Sequence, residues 1–446
     1  MTSFRPLIIS LCCLSFTIFA NTNEVVTKSH LIPIIKWSDS TTNTPVWLVQ
    51  RHENPILDIS VIYRAGSAFD KNANGLAAIT SEMIPKGVYG MSFKKLRRSL
   101  AEVGAIINSD YDVDKASLSL RSLTKARNFN QAWPLFLKVV KTPSLQTKEL
   151  SLVKKSFTAQ LLQKINKPMY IASKKLLMSL YPNHPYGQYP TSKTINKINK
   201  RQVTNFFKKY YVRENAAIIL VGDISLAAAK KLATKLAQTL PKGKKAPTTK
   251  QPEPQTNKTM EIGFKSQQSA IILGQLAISR KNKDLALLNL ASHILGGGMS
   301  SILFKEIRDN RGWCYYIFST FRPYSQTGPF FIGTKTQQHD LQKVIAKITQ
   351  TTNDFAATGP TKEQLKTAKL QIISSIYSSI ASNEGLLSIL KDLAFYEMPI
   401  DHIDRYIQQL NTATTDRVKT IFAQILKPMT IITVGPSSNK KQPTNV

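Results

Sequence analysis

The feature that most constrains this chain is a strand-like closure that occurs twice. Residues 216–221, Ala-Ala-Ile-Ile-Leu-Val, are an apolar run that ends on Gly222-Asp223, and residues 429–434 end likewise on Gly435-Pro436. A short apolar run bounded by turn residues reads as a buried strand. The segments ahead of each closure follow one order: strands, short helices, strands, then long helices. Two halves of about 200 residues with one element order imply a tandem duplication. At 446 residues the chain is long enough for both halves to have their own cores.

In the first half, 46–50 and 57–65 read as paired strands with Asn54-Pro55 as the turn. A short apolar helix over 76–84 follows the Asn74-Gly75 breaker, then a basic helix over 92–103. Strands at 105–110 and 116–120 precede helical stretches at 125–163, 169–180 and 194–211. Residues 241–254 change to Lys, Pro, Thr and Gln without apolar periodicity and read as a linker. Beyond it come strands near 260–264 and 270–276, and helices at 284–295 and 301–308. Strands at 314–320 and 328–334 and further helices complete the half.

The N-terminus is a short segment with one Arg, an apolar run to Ala20, then polar Asn21-Thr22-Asn23-Glu24. That pattern reads as a secretory signal over 1–20, cut after Ala20. The expected divisions are then 25–240 and 257–437 as domains, 241–256 as the linker and 438–446 as a flexible tail. An exported, periplasmic or envelope-associated protein follows. After cleavage only Cys314 remains, so no internal disulfide is expected.

The formal net charge is +33. Such a surface suits an acidic partner or substrate, an anionic membrane surface or nucleic acid. The chain has no aromatic–basic alternation, zinc finger or helix-turn-helix signature, so nucleic acid is not the expected partner. Membrane-surface association stays open. The six histidines (His30, His52, His184, His293, His339 and His402) are all about twenty or more residues apart, unlike the paired ligands of most zinc sites.

The stretch Asn74-Gly-Leu-Ala-Ala-Ile-Thr-Ser-Glu-Met-Ile-Pro-Lys-Gly87, between a strand and a basic helix, resembles the zinc-binding segment of the pitrilysin or insulinase metallopeptidases. That family includes mitochondrial processing peptidase, and its helix carries the inverted motif His-x-x-Glu-His. Laid onto this chain, the first ligand position falls on Ala78, the general base on Ser81 and the second ligand on Glu82. A further family ligand, a Glu roughly 75 residues downstream, falls on Ser156 in the nearest register. Ala78 cannot ligate a metal, and Ser81 is a poor base without a His or Lys beside it. No metal site, and no cofactor in this chain, is therefore expected.

The resemblance extends over nearly the whole chain after the signal. It implies an α+β fold of two tandem homologous α/β-sandwich-like domains, with mixed sheets covered by helices in a clamshell. In the second half, Leu295-Gly-Gly-Gly-Met-Ser-Ser-Ile-Leu-Phe-Lys-Glu-Ile-Arg308 leads on to Tyr315. No Lys-Ser/Thr follows the glycines, which argues against a nucleotide loop. They read instead as close backbone approach. The family places an Arg and a Tyr seven residues on at this point, holding substrate backbone and developing oxyanion; here they are Arg308 and Tyr315. Cys314 beside them reads as a buried filler. Some family members are heterodimers in which one subunit carries zinc and the other donates this pair. The resemblance thus implies a non-catalytic subunit that pairs with a zinc-motif homologue acting on peptides. The alternative is a pseudopeptidase that binds peptides or an envelope partner without hydrolysis.

Overall fold

The computed structural model describes residues 31–254 and 256–436. The signal and tail expectations lie outside these residues.

The first half opens with β1 (Ile35–Ser38), β2 (Pro45–Gln50) and β3 (Ile56–Tyr63). Helix α1 (Leu76–Met83) follows, then the small hairpin β4 (Gly87–Val88) and β5 (Met91–Ser92), and α2 (Phe93–Ala101). Next are β6 (Ile106–Tyr111), β7 (Ala116–Leu123), α3 (Ala126–Lys141), α4 (Thr147–Ile165) and α5 (Pro168–Leu180). Helices α6 (Ser192–Lys197) and α7 (Lys200–Tyr210), β8 (Ala216–Gly222) and α8 (Leu226–Thr239) complete it.

The second half contains β9 (Thr259–Gly263), β10 (Gln268–Leu276), α9 (Leu285–Gly296) and a π-helical turn, Phe304–Asp309. Then come β11 (Ile317–Phe321), β12 (Pro329–Gln337), α10 (Leu341–Thr358), α11 (Lys362–Ile380) and α12 (Asn383–Phe395). It closes with α13 (His402–Asn411), α14 (Thr415–Ile425) and β13 (Thr430–Gly435).

The duplication is visible strand by strand. One sheet runs β1-β2-β8-β3-β7-β6, the other β11-β12-β10-β13-β9. In both, the last strand of the half inserts between two consecutive earlier strands, parallel to one (β8 to β2, β13 to β9) and antiparallel to the next (β8 to β3, β13 to β10). The expected β2–β3 hairpin is therefore wrong. Strand β8 lies between them, because its seven residues are all buried and need a central place with neighbours on both edges. Helix positions repeat too. Helices α4 and α11 start at 147 and 362, α5 and α12 at 168 and 383, α7 and α14 at 200 and 415, the same spacing each time.

Two predicted helices prove to be broken. The stretch 125–163 divides between α3 and α4, since Pro143 cannot continue the ladder and the residue before a proline avoids the helical region. The stretch 194–211 divides at Ile198-Asn199, where Asn199 and Gln202 form a reciprocal capping box that starts α7 afresh.

Each sheet has its own helices on one face and a helix of the other half on the second. Leu176, Leu177 and Leu180 of α5 pack on Ala270, Ile272, Ile432 and Val434 of the second sheet. Conversely Leu386, Leu390 and Leu393 of α12 pack on Trp47, Val49, Ile62, Ile219 and Val221 of the first. Gly274 of β10 makes the approach of α5 possible, because a Cβ there would meet Leu176 Cδ2 at 2.6 Å. With about 1.5–3 kcal/mol for each fully buried leucine, this reciprocal exchange holds the halves together as one body.

Candidate functional site

Helix α1 begins where Gly75 adopts φ +100°, a conformation open to glycine. The buried carboxylate of Asp70 accepts hydrogen bonds from the backbone N–H groups of Gly75 and Ala77, both at 2.6 Å. It thereby satisfies donors that a helix start leaves unpaired. Burial nevertheless pushes its pKa up to about 7. Nearby, burial first and then the charges of Asp70, Glu82 and Asp110 push Tyr111 up to about 12.

The four positions that correspond to the zinc site, three on α1 and one on α4, lack the set of groups that holds the metal. Ala78 and Ser81 are buried, at 2% and 1% exposure, so neither faces an open coordination position. Ser81 Oγ donates to the Asp110 carbonyl over 3.4 Å. Glu82 is exposed and its nearest cation is Lys86, at 3.9 Å. Ser156 is exposed on α4 and accepts a hydrogen bond from Gln160 at 3.3 Å. Among the described residues no group of three or more His, Cys, Asp or Glu is arranged to hold a metal. One methyl, two hydroxyls and one solvated carboxylate do not fit zinc.

Arg308 and Tyr315, by contrast, lie together. The helix after the glycine run widens, with Asn310 N–H bonded to the Lys305 carbonyl five residues back at 2.9 Å. This bulge sets Arg308 over the rings of Phe304 at 4.8 Å and Tyr315 at 5.8 Å, while Asp309 pairs with it at 3.0 Å. Tyr315 is 84% exposed. The expected strand from 314 begins only at Ile317, so Tyr315 sits on the loop before it. Thr334 and Thr336 of β12 instead bond the Tyr316 and Trp313 carbonyls, at 2.7 Å each, which fixes that loop. In the glycine run, Gly296 at the end of α9 is the one that packs on β11: a Cβ there would lie 2.5 Å from Ser319 N. Cys314 is buried and burial raises its thiol pKa.

Sequence reasoning missed the polar joint between the halves. Asp114, buried in the β6–β7 turn, accepts from Tyr186 Oη at 2.7 Å, Ser325 N at 2.7 Å and Tyr396 Oη at 3.3 Å. Asp392 of α12 holds Arg280 at 2.7 Å and also Lys115 from the other half. His184 is part of the same joint: its Nε2 donates to the Lys250 carbonyl at 2.8 Å and its Nδ1 accepts from Tyr186 N at 3.2 Å. The turn-forming Asp112-Val-Asp114 was the local signal, but nothing local says that its carboxylate reaches across to the other half.

Fold and site together define a class: a duplicated peptidase-type α+β protein whose metal-site positions retain a single carboxylate, too few ligands for zinc. Residues 46–193 match the family description "Insulinase (Peptidase family M16)", and residues 197–372 match "Peptidase M16 inactive domain". The chain belongs to the M16 peptidase family. It is 23% identical over 407 residues to a Helicobacter pylori protein named "Non-peptidase homolog YmxG", covering 89% of this chain and 92% of that one. The crystal structure of a peptidase M16 inactive domain from Pseudomonas fluorescens is 30% identical, with a TM-score of 0.87 over 92% of this chain and 100% of that one. The Escherichia coli periplasmic protease PqqL shares the fold at 15% identity and a TM-score of 0.76, over 98% of this chain but 49% of its own.

Proposed function

We propose that this chain is the non-catalytic subunit of an exported zinc metallopeptidase. It pairs with a zinc-motif homologue and lends Arg308 and Tyr315 to peptide binding and oxyanion stabilisation. The observation that carries this reading is the contrast between the two candidate sites. The first ligand position, Ala78, and the base position, Ser81, are packed away, whereas Arg308 and Tyr315 are adjacent and Tyr315 is open to solvent. Both are hydrogen-bond donors suited to an oxygen whose charge grows in the transition state.

The test is peptide hydrolysis by this protein alone and mixed with the nearest zinc-motif homologue of the same genome. Activity in the mixture alone is the expected result. Activity of the lone chain would overturn it, and silence in both with a competent control peptide would favour a pseudopeptidase that binds without cleaving.

A further inference from the structure

The positive charge is not spread evenly between the duplicated halves. Residues 151–213 contain 13 Lys and Arg and no Asp or Glu, whereas the equivalent window of the second half, 366–428, contains 7 cations and 6 acids. The two windows have the same fold, so folding does not require the one-sided composition. Of the 13 cations only Arg213 is in an ion pair among the described residues, with Glu214 at 3.0 Å.

This basic region contains a groove of about 590 Å³ between α4 and the corner where α6 meets α7. Its floor is apolar, from Leu150, Leu162 and Ile198. Lys154 fixes one wall by donating to the Asn196 and Ile198 carbonyls at 2.7 and 2.8 Å. Lys155 and Lys200 stand exposed at the rim. The N-terminus of α7, with its partial positive charge, opens onto the same groove at Asn199 and Lys200.

We propose that this groove is the docking site for an acidic, amphipathic segment of the peptide substrate, which deepens the reading above by naming the class of substrate. Apolar side chains of the peptide fill the floor while its carboxylates meet Lys155, Lys200 and the start of α7. A concave floor with charged rims fits a peptide better than a flat bilayer surface, and among the described residues no aromatic ring lines it for a base to stack on.

The test uses the chain alone, so it does not depend on the partner or on cleavage. Binding of a fluorescein-labelled amphipathic Leu/Glu peptide is followed by anisotropy, beside a Leu/Lys peptide and phosphatidylglycerol-containing vesicles. The acidic peptide is expected to bind and to weaken as salt rises. Lys155→Glu/Lys200→Glu should weaken it by about tenfold or more, with Lys94→Glu/Lys95→Glu, the same charge change on α2, having little effect. Circular dichroism establishes that both variants are folded. No binding, equal losses in both variants, or binding to vesicles but not to the acidic peptide would each overturn the proposal. Hydrolysis assays with the partner would be untouched by that outcome, and binding here would survive their failure.

Discussion

Lys154 and Lys369 perform the same task in the two halves. Lys154 Nζ donates to the Asn196 and Ile198 carbonyls at 2.7 and 2.8 Å; Lys369 Nζ donates to those of Asn411 and Ala413 at 3.0 and 2.7 Å. In each case a cation on a long helix holds carbonyls left free where the chain turns into the next helix, which an ammonium suits by charge and geometry. The two clamps are a trace of the duplication in side-chain chemistry, beyond the order of elements.

Lys369→Met is therefore expected to lower stability by about 1–2 kcal/mol, since hydrogen bonds to a charged donor are lost but water can replace part of them. The urea midpoint, with an unchanged slope, is the measurement. A midpoint equal to the parent's would mean that the clamp is an ornament of the surface.

The joint around Asp114 should matter more. Asp114→Ala leaves the Tyr186 and Tyr396 hydroxyls and the Ser325 N–H without their acceptor, in a place where water does not readily follow. A loss of about 3 kcal/mol or more is expected, against about 1 kcal/mol for Tyr396→Phe, which removes one long bond and leaves the carboxylate its other partners. Denaturant unfolding measures both, and similar small losses would show that the joint is held by α5 and α12 packing alone.

These clamps explain what was legible in the sequence and what was not. Apolar period and punctuation located α1, α5, β8 and the duplication, because each rests on local burial and local breakers. The order of strands was not local: β8 separates β2 from β3 through contacts made some 160 residues apart in the chain (Ile59 to Leu220). The exchange of α5 and α12 between sheets was also invisible, since an amphipathic helix does not state which sheet covers it. At the candidate site, residue types at 78, 81, 82 and 156 were readable at once. The burial of Ala78 and Ser81, the bulge that brings Arg308 to Tyr315 and the reach of Asp114 needed three dimensions.

Acidification should loosen the linker. Burial holds the His184 pKa below the ordinary histidine value of 6.5, and protonation would set a second N–H against the Tyr186 N–H that Nδ1 now accepts. A histidine whose folded-state value is depressed contributes stability that is full above its unfolded value and is lost as pH falls through it. The parent should therefore lose more thermal stability between pH 8 and about 5.5 than His184→Gln does. Cleavage within 241–254 by an added protease should rise over the same interval. Parallel losses in parent and variant would remove His184 from the account.

Restoring the motif should not restore zinc. Ala78→His places an imidazole where the side chain is buried at 2% exposure, so overpacking is expected to cost about 1–3 kcal/mol. Combined with Ser81→Glu, Glu82→His and Ser156→Glu, the variant should still take up no stoichiometric zinc in equilibrium dialysis, since positions 78 and 81 are packed away from solvent. One tightly bound zinc per chain would show that only the ligands, and not their setting, had changed.

Arg308 and Tyr315 carry the most direct functional prediction. In the mixture with a zinc-motif homologue, Arg308→Ala is expected to lower kcat by about 100-fold, the scale of losing one donor to a developing oxyanion. The zinc content of the partner should not change. Tyr315→Phe separates chemistry from packing: the ring that lies against the Arg308 guanidinium at 5.8 Å stays, and only the hydroxyl donor is lost. Because Tyr315 is 84% exposed, neither its stability nor that of the fold should move by more than about 0.5 kcal/mol. A fall in kcat at constant stability assigns the hydroxyl to the transition state. Full turnover by both variants would take this pair out of the reaction and leave the chain a binding protein.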